Sequence, residues 1–350
     1  MMRAQSLLIL RLTILLIHSS AESRCVSESN KYVKSAYWPS HTVSYMPPSS
    51  INAALYTHII YGFADLNDQT FEVNVSSNDQ NIIKEFTPTV LKKNPCVKTL
   101  ISIDGGGSNS IAFALMVSNA YRRKVFIKSA IALARRHGFH GLDLDWEFPQ
   151  NTTEMDNFGT LFSEWRHNIE VEATSSGRPP LLLTAAVYFA QRFFLWGKLR
   201  AYPTSSIVRN LDWVNVMCYD YHGKWDTSST GAHSALYDPT SNISTSYGIE
   251  SWLESGLPPQ KVVMGMPLYG RSWILKSRNE TVIGAPAVAA GPKQNLSNET
   301  GVMFSEIEDF IREKNATEVF DKVTVSAYSY AGDVGWLRQR RISCRKDPVR

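Results

Sequence analysis

Asp143, Asp145 and Glu147 occupy alternate positions of the G-L-D-L-D-W-E-F-P segment at 141–149, with Leu142, Leu144, Trp146 and Phe148 interleaved. On a β-strand successive side chains point to opposite faces, so the three carboxyls share one face and the four apolar groups the other. Carboxyls that face an interior are costly unless they hold protons, hydrogen bonds or a ligand. Like charges two residues apart, about 7 Å along a strand, push at least one proton affinity upward. A carboxylic acid that stays protonated near neutral pH is what cleavage of a glycosidic bond requires. Two other readings of these residues stay open at this level. With His137 and His140 the acids could ligate a metal, although no H-E-x-x-H or D-x-D-x-D-G pattern is present. The alternation could also mark an exposed, half-polar strand.

The elements that must position these groups follow from periodicity. Strand-like runs recur at 34–38, 56–64, 97–103, 141–148, 181–189, 213–219 and 261–268. Helical stretches lie between them. In 155–173, Phe158, Leu161, Phe162, Trp165 and Ile169 repeat near 3.6 residues, and 121–137 is basic on one side and apolar on the other. Strands alternating with helices imply crossover units and a parallel sheet. Seven strands at this spacing approach a (β/α)8 TIM-type barrel, which takes about 250 residues. A doubly wound sheet is the rival on pattern alone. After Leu268 the rhythm breaks into a Gly-, Pro- and Asn-rich block at 272–320. A short helix follows at 305–314, with Ser305 and Glu308 in capping-box positions, and then an alternating run at 323–330.

Composition narrows the class. The chain has 350 residues, 43% apolar and 19% charged, which is too apolar for disorder. Its net charge of +4 is the sum of +5 in the last 13 residues, where six basic residues meet one acid, and −1 in the rest. The body has no basic face for nucleic acid. Arg3 precedes an apolar run at 7–17 and the small residues Ser19, Ser20 and Ala21, so 1–23 reads as a signal peptide. No segment reaches the roughly 20 apolar residues of a membrane span. Sequons at Asn74, Asn151, Asn242, Asn279, Asn295, Asn298 and Asn315 fit a secreted glycoprotein, extracellular with the vacuole as the other destination. Cys218 falls in a strand and reads as a buried thiol, whereas the spacing of Cys25, Cys96 and Cys344 fixes no pairing. Gly105, Gly106 and Gly107 follow a strand, but neither G-K-[ST] nor G-x-G-x-x-G accompanies them, so nucleotide binding is rejected.

The signature segment resembles D-x-x-D-x-D-x-E of glycoside hydrolase family 18, the chitinases, and most closely the plant class V branch. SAYWPS, THIIYGFADLN, LISIDGGGS, LTAAVYF, VNVMCYDYHGKWD and VVMGMPLYGRSW follow in the family's order over about residues 30–333. The resemblance implies a barrel at 30–271, an α+β insertion after its seventh strand at 272–333, and a divergent basic tail at 334–350. It implies hydrolysis of β-1,4-linked N-acetylglucosamine with retention. Glu147 is then the general acid, and the substrate's own 2-acetamido carbonyl is the nucleophile. Asp145 orients the acetamide nitrogen, Asp143 shares a proton with Asp145, and Tyr219 bonds the acetamide oxygen. Met217 and Asp220 line that subsite, and Tyr37, Phe63 and Arg271 match cleft positions. Neither metal nor organic cofactor is implied. The partners are chitin or its oligosaccharides, and the expected state is a monomer.

Two departures from the family's pattern bear on activity. His140 stands where the signature has its first Asp; by strand phase it lies off the carboxylate face, so an indirect role and weakened catalysis are expected. The family also continues past the Y-S-Y-A-G-D segment with a helix, an eighth strand and a last helix, where this sequence has an unrelated basic stretch. The expectation is therefore a barrel short of its last β/α unit. The alternative function is an impaired, lectin-like binder of chitin oligosaccharides, or an inactive truncated product.

Overall fold

Each of the seven apolar runs becomes a strand, and the helices fall between them. The computed structural model describes residues 32–107, 109–291, 301–332 and 334–338. In chain order the elements are β1 (Ser35–Pro39), β2 (His58–Leu66), β3 (Val73–Asn74), α1 (Ile82–Lys93), β4 (Lys98–Asp104), α2 (Ser110–Val117), α3 (Ala120–Arg136) and β5 (Gly141–Asp145). Then come α4 (Thr152–Ser176), β6 (Leu182–Tyr188), β7 (Arg192–Leu195), β8 (Lys198–Ala201), α5 (Thr204–Asn210), β9 (Trp213–Met217), α6 (Thr245–Glu254) and β10 (Val262–Met264). The remainder are β11 (Tyr269–Leu275), β12 (Ala287–Ala290), β13 (Val302–Met303), α7 (Phe304–Lys314), β14 (Thr317–Asp321), β15 (Ser326–Ala331) and β16 (Val334–Arg338). Two units are distinguished, Met1–Ala186 with Ser205–Val214, and Val187–Thr204 with Asn215–Arg350.

In the first unit β1, β2, β4, β5 and β6 pair in parallel in that order. Asp212, just before β9, donates its N–H to the Leu183 carbonyl of β6. β5 is buried along its whole length, so its side chains are covered on both faces, as a parallel strand under helices requires. Helices α2, α3 and α4 are each started by an asparagine. The Asn109, Asn119 and Asn151 side chains accept from backbone N–H groups of the first turn, which satisfies donors left over at a helix N-terminus. Gly177, at φ 65°, ends α4 in the left-handed conformation. Arg123–Glu164 and Arg135–Glu172 tie α3 to α4 at 2.7 and 2.5 Å.

The second unit holds the end of β9, whose Val216 carbonyl accepts from Gly265 beyond β10. Its sheet runs β12-β11-β16-β15-β14, with β13 on β11, and these strands pair antiparallel. Trp273, Ala287 and Tyr328 pack on one another in this sheet, and Val302, Ile307 and Phe310 bury the inner side of α7.

The structure departs from the sequence reading in three places. Val334–Arg338, expected within the divergent tail, is β16, bonded on one edge to β11 and on the other to β15. A central position in a sheet satisfies its backbone, which composition could not reveal. Helix α7 begins at Phe304, and the Glu306 carboxylate accepts from the Met303 N–H, so the Ser305/Glu308 capping box is not the one used. β5 also stops at Asp145, three residues before the alternation ends. The expected signal peptide, Asn295, Asn298, Cys25, Cys344 and 339–350 of the basic tail lie outside the described residues.

Candidate active site

The carboxyls gather where β4 and β5 end. The register sets Ser102 beside Asp143 and Asp104 beside Asp145, so alternate positions of the two strands face the same side. Asp143 is wholly buried and accepts three hydroxyl bonds: Tyr37 from β1 at 2.8 Å, Ser102 from β4 at 2.7 Å and Thr184 from β6 at 2.5 Å. Side chains from three other strands thus fix this one, an arrangement suited to an acceptor-only carboxylate.

Asp145 is only 6% exposed, and its Oδ1 is buried without a hydrogen-bond partner. Burial first, then the charges of Glu147, Asp143 and Asp104, hold its carboxyl well above the usual range and favour the protonated form. Such a buried, unsatisfied oxygen is costly unless a ligand supplies its partner.

Glu147 lies past the end of the strand and is half-buried. Its neighbours are hooked to the first residue of α2. The Trp146 indole N–H donates to Ser110 Oγ at 2.9 Å, and that hydroxyl donates to the Phe148 carbonyl at 3.1 Å. The direction of Glu147 therefore comes from this clasp rather than from strand phase. Phe63 stands 6.5 Å from the Tyr37 ring, centroid to centroid, and a Cβ on Gly105 would come within 3.1–3.3 Å of the Phe63 ring. The loop after β4 needs glycine there because Phe63 occupies the space.

Met217, Tyr219, Asp220 and Arg271 belong to the second unit. Met217 ends β9 and is half-buried. A Cβ on Gly265 would lie 2.6 Å from the Val216 carbonyl oxygen and 2.8 Å from Tyr219 Cε1, so glycine lets the Tyr219 ring close on the backbone. Asp220, at φ 61°, accepts from Tyr269 Oη at 2.8 Å and from Arg271 Nε and Nη2 at 3.0 and 2.5 Å. Burial works against its charge, but the His233 ring, Arg271 and Tyr269 together hold the carboxyl below its usual range. The Arg271 guanidinium also lies 5.2 Å from the Trp225 ring centroid.

His140 immediately precedes β5, at the end of the strand away from Asp145, and its Nδ1 accepts from the Thr99 N–H at 3.1 Å. Burial, then the charge of Lys98, lowers its proton affinity. It takes no part in the carboxyl cluster. Among the described residues no group of three or more His, Cys, Asp or Glu could hold a metal ion. Sequence reasoning missed Ser102, Thr184, Asp104 and Ser110, and Tyr269, His233 and Trp225. Ser102 and Asp104 had a signal, the i, i+2 phase of S-I-D in a strand beside the carboxylate strand. Tyr269 and Arg271 had the same phase in Y-G-R.

The sequence profile of Glycosyl hydrolases family 18 matches residues 32–339. The chain belongs to this family. A class V chitinase of Medicago truncatula is 45% identical over 306 residues, 87% of this chain and 78% of that protein. A family 18 chitinase from Cycas revoluta, solved in complex with (GlcNAc)3, matches at 52% identity and a TM-score of 0.83, covering 88% of each chain. A chitinase-like agglutinin from Robinia pseudoacacia matches at 37% identity and a TM-score of 0.80, again over 88% of each chain. The fold is the TIM-type barrel of family 18, and the doubly wound alternative falls. Among the described residues the parallel path contains seven strands, β1-β2-β4-β5-β6-β9-β10.

Proposed function

We propose that this family 18 chain is a chitinase that cleaves β-1,4 linkages between N-acetylglucosamine units with retention. The observation that carries this reading is the carboxyl series at the end of β5: Asp143 fixed by three hydroxyls, Asp145 buried with an open oxygen, and Glu147 clasped beyond the strand. Glu147 gives its proton to the glycosidic oxygen as the bond to the anomeric carbon breaks. The acetamido carbonyl oxygen of the same sugar forms the new bond, making an oxazolinium ion. Protonated Asp145 meets that acetamido group, and Asp143 takes the proton they share. Water then adds to the anomeric carbon as the bond to the acetamido oxygen breaks, its proton goes to Glu147, and the shared proton returns to Asp145, which restores both the acid and the acetamido group. Tyr219, Met217, Asp220 and Arg271 keep the roles that the family resemblance implies, each open to its own substitution.

The substrate's acetamido group supplies the test. Hydrolysis of N-acetylglucosamine oligomers read by proton NMR is expected to yield β-anomers first. Fully deacetylated oligomers of equal length are expected to stay intact. Immediate α-anomers, or equal cleavage of both substrates, would overturn the substrate-assisted reading. A binding-only role, suggested by the similarity to an agglutinin, requires oligomer binding without any cleavage.

Export to the cell exterior is part of the same proposal. Five of the sequon asparagines, Asn74, Asn151, Asn242, Asn279 and Asn315, are exposed. Protein recovered from medium is expected to lose mass on treatment with an amidase specific for N-glycans, and unchanged mass would count against this route.

A further inference from the structure

Helix α2 is apolar on both sides. Ala112, Phe113, Met116 and Val117 are buried, yet Ile111 and Leu115, one turn apart, are 70% and 46% exposed. With Ala114 these two form one wall of a groove of about 530 Å³, and Asn151, Glu154 and Asn157 at the start of α4 form the other. An apolar wall facing a polar one suits a sugar, whose ring C–H groups pack on aliphatic carbon while its hydroxyls bond to side-chain oxygen and nitrogen. Asn151 is also the asparagine of an N-T-T sequon. Its Oδ1 accepts from the Glu154 N–H at 2.9 Å, and its Nδ2 donates to Glu154 Oε1 at 2.7 Å. An asparagine amide has two N–H groups. One is engaged by Glu154 and the second is available for a bond to sugar, so the helix cap and the modification are compatible.

We propose that the groove seats the first sugars of an N-linked glycan on Asn151, which cover Ile111 and Leu115 and steady the packing of α2 on α4. This rests on export through a glycosylating route. There the Asn151 nitrogen bonds to C1 of a diphosphate-activated oligosaccharide. The C1–O bond to the diphosphate breaks, its electron pair leaves on the diphosphate oxygen, and the proton displaced from nitrogen goes to that oxygen. The position of the sequon selects this occupant over others. A second copy of the chain or a free oligosaccharide would bear the whole cost of lost translational and rotational freedom on docking. A glycan rooted in the groove wall is held there at high effective concentration, so weak contacts with two aliphatic side chains are enough to seat it.

The test uses protein secreted by a glycosylating host. Four forms are compared: the parent, Thr153→Ala, the double variant Ile111→Gln with Leu115→Gln, and all three changes together. Thr153→Ala removes the sequon and leaves the Asn151 cap, and glutamine has nearly the helix propensity of leucine. Peptide masses read occupancy and thermal melts read stability. Thr153→Ala is expected to lower Tm by roughly 2–4 °C in the parent and to leave it almost unchanged in the glutamine background. In the folded parent, an amidase specific for N-glycans is expected to release the Asn151 glycan several-fold more slowly than glycans on the other exposed sequons, and the glutamine changes to abolish that difference. Equal Tm losses in the two backgrounds, equal release rates in the parent, or a bare Asn151 beside occupied sequons would overturn the proposal. A dimer of the parent lost in the glutamine variant would also overturn it, by giving the groove to a second copy. Should no sequon carry sugar, the export reading fails first and takes this proposal with it.

Discussion

Tyr37 Oη donates to Asp143 Oδ2 at 2.8 Å, so a residue of the first strand holds a carboxyl 106 positions further along the chain. The bond makes the shape of the carboxyl cluster depend on closure of the parallel sheet from β1 through β4 and β5. It also assigns Tyr37 a polar task beyond offering an aromatic face. A hydrogen bond to a charged group contributes about 1.5–3 kcal/mol. Tyr37→Phe removes one of the three hydroxyls on Asp143 and keeps the ring against Phe63. We expect kcat to fall about tenfold or more with Tm changed by only a few degrees, checked by steady-state kinetics beside a melt. Unchanged kcat would show that Ser102 and Thr184 suffice.

Asp145 carries the cost of the site. Its folded-state proton affinity is raised by burial, then by Glu147, Asp143 and Asp104, above that of the unfolded chain. A raised group contributes stability that is complete below its unfolded pKa, about 3.9, and is lost as pH rises through the folded value. Asp145→Asn removes that titration. The variant is expected to melt above the parent at pH 8, with the difference shrinking toward pH 4, while hydrolysis is lost. A variant less stable than the parent at pH 8 would contradict this account of the buried acid.

His58 shows the opposite sign. Its ring meets Trp213 edge-on at 4.7 Å, and burial, then Lys98 and His140, lower its pKa to about 4. The unfolded chain therefore binds the proton more readily between about 6.5 and 4. Stability from this group is complete above pH 6.5 and drains away as pH falls through that window. His58→Phe keeps an aromatic ring against Trp213 without the titration. The drop in Tm between pH 7.5 and 4.5 is expected to be smaller in the variant than in the parent, and an equal drop would remove His58 from the explanation.

Ser110 is the clasp of the acid-bearing segment, accepting from Trp146 and donating to Phe148. Ser110→Ala leaves a buried indole N–H and a carbonyl without that partner, a loss of about 1–3 kcal/mol. Because those two residues flank Glu147, kcat is expected to fall more than KM rises. A pure stability loss at full kcat would make the clasp structural only.

Much of this was legible in the sequence because it was written in periodicity. The run from Phe158 to Ile169 gave α4 through its 3.6-residue spacing, and the alternation of Leu142 and Leu144 with Asp143 and Asp145 gave β5 and its carboxyl face. What failed was the extension of that alternation to Glu147. The end of a strand is decided by its neighbour, and β4 offers no residue beyond Asp104 to pair with. The hydroxyls on Asp143 were equally hidden, since Tyr37, Ser102 and Thr184 are ordinary residues until parallel pairing sets them around one carboxyl. β16 escaped notice for a similar reason: it opens a stretch whose later residues are basic, and its strand character comes from the two strands that flank it.

The central claim is that Glu147 protonates a glycosidic oxygen between N-acetylglucosamine units. The direct measurement incubates the purified parent and Glu147→Gln with an N-acetylglucosamine hexamer and reads the products by mass, after a cooperative melt has shown both to be folded. Shorter oligomers from the parent, and intact hexamer still bound by the variant, are the predicted result. Intact hexamer with folded parent, or equal cleavage by both proteins, would contradict it.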